Sequence, residues 1–549
     1  MLRYISYVFV VTILFANSLL ANEDVYYKIN KSFNIQGAVF NELLNGYVVD
    51  LDPEILMRAG IEGMISSLDP YTEYFSEKQL QDVDFLSSGT YSGLGITVGV
   101  HDSMLIIVDV RHGYPAQKSG LKIGDYIYKA DSNVVINKNS TELREFTKGE
   151  PGTELFLTVI RKSLNTNDTL QVNVVIENIK LPNVPYSGFV NDSTGIIILE
   201  RFTKDSYKDF RDAFNKLSSS KKLKNLVIDL RNNPGGLLEE AVSICELFLP
   251  SNSLIVTTKS RENEVLYEYI SRQIPLDTNV RLAVLINQSS ASASEVVAGA
   301  IQDHDRGLVI GQQSFGKGLV QSVVSLPYGG NLKITTAKYY TPSGRCIQRI
   351  GFAEQYADSE LKIQAIVDST QFQTKNGRIV FESTGIKPDS TVTPRESQDL
   401  IYDMNMKQVF FDFANQYATS LRLNKTEFVP EKSYESFLKY LKEVKYDFKF
   451  RYEEDLDEIN SELDKQGLKS ASSTKIIEQL KAELAKKDEQ LIKNLREDLT
   501  EILEYEIYRR SMNEEEFYSF IMSRDNYVKS AVSLMSNNTY KTLLRREND

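Results

Sequence analysis

The stretch that decides the fold is Leu226–Val242, which reads LVIDLRNNPGGLLEEAV. Leu226–Leu230 is an apolar run of strand length, as expected for a strand buried on both faces. Asn232-Asn233-Pro234-Gly235-Gly236 breaks it with turn residues. Apolar residues then return at helical spacing through LLEEAVSICELFL, residues 237–249. Strand, glycine-rich turn and helix together make one unit of an α/β sheet. The same alternation continues on both sides. TGIIILE (194–200) reads as a strand and Lys204–Leu217 as a helix; RLAVLI (281–286) is a strand, SEVVAGAIQDH (294–304) a helix and GLVIG (307–311) a strand. Residues 186–350 are therefore expected to form an α/β arrangement with buried strands.

The chain has 549 residues, too many for one core, and 42% of them are hydrophobic and 25% charged, an ordinary globular balance. The formal charge of −12 lacks the basic surface that phosphate binding needs, so nucleic acid is not an expected partner. Three scattered histidines (His101, His112, His304) argue against a zinc site. Cys245 and Cys346 read as buried or free thiols, with a disulfide between them as the alternative. The start, MLRYISYVFVVTILFANSLLANED, has a basic residue, an apolar core and a small residue, as in a secretory signal cleaved near Ala21. An uncleaved anchor is the alternative.

Before the α/β segment, Asp52-Pro53 opens a helix with Ile55, Leu56, Ala59, Met64 and Ile65 on one face, and residues 24–85 read as helical. Residues 86–185 change to short β-like runs: GITVGV, MLIIVDV, DYIYKA, ELFLTVIRK and LQVNVVIE. Beyond about 395 the chain becomes helical and charged. Ile477, Leu480, Leu484, Leu491, Leu495 and Ile502 predict one long amphipathic helix, and this tail is a candidate surface for self-association.

Three loops follow predicted strands: Arg231–Gly236, Ser289–Glu295 (SSASASE) and Ser314–Gly318 (SFGKG). That edge of an open α/β sheet is where ligands bind. Each loop alone reads more readily as an ordinary turn, helix cap or surface lysine. Together they hold what acyl transfer needs. A serine nucleophile requires a base. His304 lies about three turns, roughly 18 Å, along the helix after Ser292 and cannot serve. Lys317, bracketed by glycines in an apolar stretch, could serve if burial depressed its pKa, and Gln321 could hydrogen-bond and aim it. Ala293 at a helix start offers a free N–H, and Gly235 or Gly236 a second, for the developing oxyanion.

In this order the residues LVIDLRNNPGGLLEEAV, SSASASEVVAGAIQDHDRGLVIG, SFGKGLVQSVVSL and TTAKYYTPSGRCIQ resemble the carboxyl-terminal processing peptidases, or tail-specific proteases. The resemblance implies that Ser292 is the nucleophile, Lys317, 25 residues on, the base, Gln321 its orienting partner, and Ala293 with Gly235 the oxyanion donors. Tyr91–Ile96 resembles the carboxylate-binding loop of PDZ domains, which implies that Gly93, Leu94, Gly95 and Ile96 hold a chain terminus. Pro115-Ala116, Ser119-Gly120-Leu121 and Gly124-Asp125 resemble the PDZ segment of the same peptidases, and Leu68–Phe75 their N-terminal portion. The resemblance covers roughly residues 30–395.

The expected organisation is a multidomain α/β protein. It comprises a signal peptide (1–21), a helical segment (22–85), a PDZ-like domain (86–185), a ClpP/crotonase-like serine peptidase core (186–395, with 351–380 as an insertion) and a helical tail (396–549). The expected activity is endoproteolysis of unfolded or C-terminally exposed polypeptides in the periplasm or cell envelope, with no metal or organic cofactor. The rival readings are a catalytically silent PDZ adaptor and a crotonase-like thioester enzyme.

Overall fold

A computed structural model describes residues 25–545, except 80–84, 86, 102, 137–148, 163–166, 221, 350–369, 383–384, 394–398, 425–427, 447–450 and 537–538. The expected signal peptide and most of the 351–380 insertion lie outside the described residues. No helix among the described residues is long and apolar enough to cross a membrane. The chain divides into two compact units, one drawn from residues up to Lys78 and Gln321–Thr335, the other from the remainder.

In the first unit, helix α1 spans 25–46 and α2 spans Pro53–Ile65. Asp52 caps α2, accepting from the Glu54 and Ile55 amides at 2.7 and 3.3 Å, with Pro53 opening the helix. Of the face predicted from Ile55, Leu56, Ala59, Met64 and Ile65 no residue is buried, and Ile55 and Met64 are exposed. The rest of 24–85 is not all helix. Asp69 accepts from the Tyr71 and Thr72 amides, both at 2.9 Å, which makes a turn. Glu73–Phe75 then forms strand β1, paired antiparallel with Lys333–Asn331. Tyr74 and Phe75 favour extended backbone, and the cross-strand partner outweighs local helix propensity.

The second unit holds three modules. The first contains β2 (Thr90–Gly93), β3 (Ile96–His101), β4 (Met104–Val110), the short helix α3 (Pro115–Lys118), β5 (Asp125–Ala130), β6 (Asn133–Val134), β7 (Glu154–Lys162), β8 (Asn167–Val175) and β9 (Glu177–Lys180). Its main sheet runs β3-β4-β5-β7-β8, with β3 at one end, and β2 pairs with β9. Alternate residues Leu155, Leu157 and Val159 of β7 join Leu105, Ile107 and Ile127 in one core.

The α/β module begins with β10 (Tyr186–Phe189), β11 (Thr194–Ile198), α4 (Ser206–Ser218), β12 (Asn225–Asp229), α5 (Leu238–Glu246), β13 (Leu254–Lys259) and β14 (Val265–Ile270). It continues with β15 (Arg281–Ile286), α6 (Ala293–Asp303) and β16 (Gly307–Gly311), then β17 (Leu319–Ser325) and β18 (Asn331–Tyr340), whose Gln321–Thr335 portion belongs to the first unit, and β19 (Gln371–Gln373), β20 (Ile379–Phe381) and β21 (Ser390–Thr391). The central sheet has the order β10-β11-β12-β15-β16-β21 and is parallel except at β10. Because β12, β15 and β16 are neighbours pointing one way, the three loops named above leave the same sheet edge side by side. The strands are apolar on both faces. Leu226, Ile228, Leu282 and Val284 pack with α4, α5 and α6, and Val227, Ala283, Leu285 and Ile310 face the other way. Each such Leu, Ile or Val side chain contributes about 1.5–3 kcal/mol on burial.

What covers that second face is the C-terminal module. It comprises α7 (Asp399–Met406), α8 (Val409–Asn424), α9 (Pro430–Glu443), α10 (Arg451–Lys465), α11 (Ala471–Asn494), α12 (Arg496–Ser511), α13 (Glu514–Arg524), α14 (Asn526–Ser536) and α15 (Thr539–Leu543). Helices α7, α8, α9 and α12 share their own core around Phe410, Phe413, Phe437 and Leu499. Met522, Val528, Ala531, Met535 and Tyr540 of α13–α15 pack on the sheet. The long helix predicted through Leu495 is two helices, α11 and α12. Leu495 sits between them with φ −85° and ψ 8°, buried in the tail core. Packing of that side chain interrupts the periodicity.

Candidate active site

Ser292 stands where β15 has ended and α6 begins, with φ 56° and ψ −117°. A non-glycine residue there stores about 1–3 kcal/mol of strain and needs surroundings that hold it. Two groups do so. The Asn233 carbonyl accepts from the Ala291 amide at 3.1 Å and from Ser294 Oγ at 2.9 Å. Glu295 accepts the Ser292 N–H on Oε2 at 2.8 Å.

Glu295 also fastens the lysine loop. Its Oε2 accepts from the Lys317 amide at 2.9 Å, and its Oε1 from the Gly316 amide at 2.7 Å and Ser314 Oγ at 2.5 Å. One fully buried carboxylate therefore takes four donors, two of them the main-chain amides of Ser292 and Lys317 on the same oxygen. Burial pushes its pKa up to about 7, against the pull of those donors. Tyr339 closes the other side. Its hydroxyl lies 3.0 Å from the Ser292 carbonyl and also contacts the Lys317 carbonyl. Lys317 is half-buried, and its neighbour Gly318 donates to Gln348 Oε1 at 2.7 Å.

The Asn232–Gly236 loop abuts the serine. A Cβ built on Gly235 (φ 99°) would lie 2.7 Å from the Ala291 carbonyl oxygen, 2.8 Å from Ser292 Cβ and 2.9 Å from the Ala293 nitrogen. Only glycine fits both the dihedral and the space. Gly235→Ala is expected to push the loop off the Ser292 turn and lower kcat about tenfold or more while the chain still folds; steady-state kinetics beside a melting curve checks this. The Gly235 N–H donates to Asn233 Oδ1 at 2.9 Å, and Asn233 Nδ2 to the Leu199 carbonyl at 2.7 Å. Ala293 opens α6, where first-turn amides lack intrahelical acceptors.

The remaining predicted residues lie as follows. Gln321 is on β17, and its Nε2 donates to Thr335 Oγ1 at 3.2 Å. His304 ends α6 and its Nε2 meets the Leu254 carbonyl at 2.6 Å, a structural contact. Cys245 and Cys346 are both buried and free. In the β-rich module, Gly93 ends β2 and Ile96 starts β3, while Leu94, main chain included, is 1% exposed within the core. Gly95 has φ 77° and lies against Tyr114. Arg231, read from sequence as ordering its loop or forming a salt bridge, pairs with Asp229 and with Asp525 of the tail. Sequence reasoning missed Glu295, Asn233 and Tyr339. For Glu295 a signal existed, since Ser292-x-x-Glu295 is a capping-box pattern.

Residues 193–357 match peptidase family S41, residues 92–175 a PDZ domain, and residues 400–535 the C-terminal helical domain of probable PDZ-proteases. The carboxy-terminal-processing protease of Bartonella bacilliformis is 37% identical over 333 residues, which span 60% of this chain and 75% of that protein. A probable CtpA-like serine protease of Staphylococcus aureus is 30% identical over 370 residues, 67% of this chain and 71% of that one. Among solved structures, the photosystem II D1 C-terminal processing protease superposes with a TM-score of 0.38 at 23% identity, covering 65% of this chain and 86% of that one.

Proposed function

From the premise that this chain belongs to the carboxy-terminal-processing proteases of peptidase family S41, and is a serine-type peptidase with a PDZ domain, we propose that Ser292 is its nucleophile and Lys317 its general base. The observation that carries this reading is the Glu295 carboxylate, which accepts the main-chain amides of both residues on one oxygen. Ser292 Oγ would attack the scissile carbonyl carbon and pass its proton to Lys317 Nζ. The resulting ammonium would then protonate the leaving nitrogen as the C–N bond breaks, and water, giving its proton to the freed amine, would cleave the acyl–Oγ ester as the ammonium returns a proton to Ser292 Oγ.

The Ala293 N–H is the first oxyanion donor in this scheme. Gly235 is the second, once its N–H leaves Asn233 Oδ1. Gln321, four residues after Lys317, aims the amine. The Gly93–Ile96 loop takes a substrate's terminal carboxylate on its main chain, and β3, at the end of its sheet, offers an edge for the preceding residues. Substrates are unfolded or C-terminally exposed polypeptides, met in the cell envelope after export directed by residues 1–21.

The test is incubation of the purified chain with an unfolded protein, alongside treatment with a fluorophosphonate probe and mass mapping of the modified peptide. Cleavage with the adduct on Ser292 is expected. An adduct on another residue, or no cleavage and no adduct, defeats the proposal.

A further inference from the structure

The helical tail reaches the base of two of the three loops. Arg231, the first residue after β12's loop turn begins, is 13% exposed at its side chain. Its Nε donates to Asp229 Oδ1 at 2.9 Å and its Nη2 to Asp229 Oδ2 at 2.6 Å. Its remaining nitrogen, Nη1, donates to Asp525 Oδ2 at 2.8 Å, across 294 residues of sequence. The guanidinium also lies over the Tyr527 ring at 4.8 Å. The two carboxylates raise the arginine's pKa despite its burial, so the group stays a cation.

Asp525 is itself held. It lies between α13 and α14, and its Oδ1 accepts the Val528 amide at 2.9 Å. Tyr527 does a second job. A Cβ built on Gly311, the last residue of β16, would lie 3.3 Å from the Tyr527 ring. That ring therefore backs the start of the segment leading to Lys317 as well as the start of the segment leading to Gly235. Arg231 is continuous with Asn232, whose amide donates to Asn287 Oδ1 at 2.9 Å and whose Oδ1 accepts from Asn287 Nδ2 at 2.8 Å. A displaced Arg231 would thus carry the Asn232–Gly236 loop with it, and Gly235 already sits against Ser292.

We propose that Asp525 and Tyr527 make the helical tail part of the catalytic apparatus, as positioning residues that hold Arg231 and, through it, the Asn232–Gly236 loop against the Ser292 turn. This rests on the reading of Ser292 as nucleophile. The test uses the full chain with Asp525→Asn. Asparagine keeps an oxygen for the Val528 amide, so the start of α14 survives while the ion pair loses its charge. Tyr527→Leu serves as a second variant that keeps bulk and removes the ring face.

Two readouts are made: steady-state kinetics on an unfolded protein, and hydrogen exchange of the amides in 232–236 without substrate. For each variant the expected result is a kcat about tenfold lower, KM within about twofold, melting within about 2 °C, and exchange about tenfold faster in 232–236 but not in β12 or β15. Unchanged exchange in 232–236, an unchanged kcat, or loosening spread over the whole sheet with a falling melting temperature would each overturn the proposal. Because exchange needs no catalysis, a wild-type chain that cleaves nothing sinks the peptidase reading and leaves exchange to decide the clamp.

Discussion

Lys317→Ala is expected to lower kcat by roughly 10²–10⁴-fold while KM and folding stay near wild type. The expectation is that large because, in the proposed scheme, the substitution removes the base while the main-chain bonds of its loop remain. What fastens the lysine loop is main chain: the Gly316 and Lys317 amides on Glu295, the Gly318 amide on Gln348, and the Lys317 carbonyl on the Tyr339 hydroxyl. Alanine keeps all of these. The measurement is kcat and KM on an unfolded protein together with the rate of fluorophosphonate labelling at Ser292, which should fall in parallel. Wild-type turnover by a well-folded Lys317→Ala protein would remove lysine from the mechanism, and with it the Ser–Lys pairing. A silent adaptor would give a different pattern, with neither the wild type nor the variant turning substrate over.

Glu295→Gln carries the second large expectation, a loss of about a hundredfold in kcat with a lowered melting temperature. In the wild type four donors converge on a carboxylate that can accept all four. A glutamine amide turns one accepting oxygen into an NH₂ group facing N–H donors. Each buried donor left without an acceptor costs about 1–3 kcal/mol. The two loops would then part at the shared oxygen.

The pH dependence follows from the same group. Its folded pKa is raised to about 7 by burial, above the value in the unfolded chain. Below the unfolded value both states hold the proton and the group's stabilising contribution is fully present. It is lost as pH rises through about 7, because the unfolded chain has already released its proton. Activity is expected to run the other way. A protonated Glu295 must drop one of its four donors, so kcat should fall as pH falls through about 7. In Glu295→Gln this component of both trends should vanish. Melting and kcat measured between roughly pH 5 and 9 check the two slopes; identical profiles in wild type and Glu295→Gln would show that Glu295 does not couple the loops.

Much of this was readable in the chain because the governing signals are local. The buried strands are short runs rich in Ile, Leu and Val, and the turns between them carry Pro, Gly, Asn and Ser, so LVIDL, RLAVLI and GLVIG stand out with their following loops. Ser292 and Lys317 could be proposed from the sequence because their loops, ordinary when taken singly, follow one another in a recognisable order. Glu295 was visible as a cap but its second set of partners was not, since Ser314–Lys317 approach it only after β15 and β16 pair. The strand at Glu73–Phe75 was misread as helix because its partner, near Lys333, lies far along the chain. The break at Leu495 was missed for a similar reason: the heptad-like pattern runs on through a residue whose neighbours in space decide its backbone. Asp525 had no signal at all, because its meaning depends on an arginine at the other end of the catalytic module.

The seal formed by Met522, Val528, Met535 and Tyr540 over the sheet has a consequence for biosynthesis. Strands beginning at Thr194 emerge from the ribosome more than three hundred residues before the side chains that roof them. Until then one flank of Val227, Leu285 and Ile310 stays bare, a sticky surface on a nascent chain. Synthesis as far as Tyr540, and not of the catalytic module alone, is therefore needed before that flank of the sheet is covered.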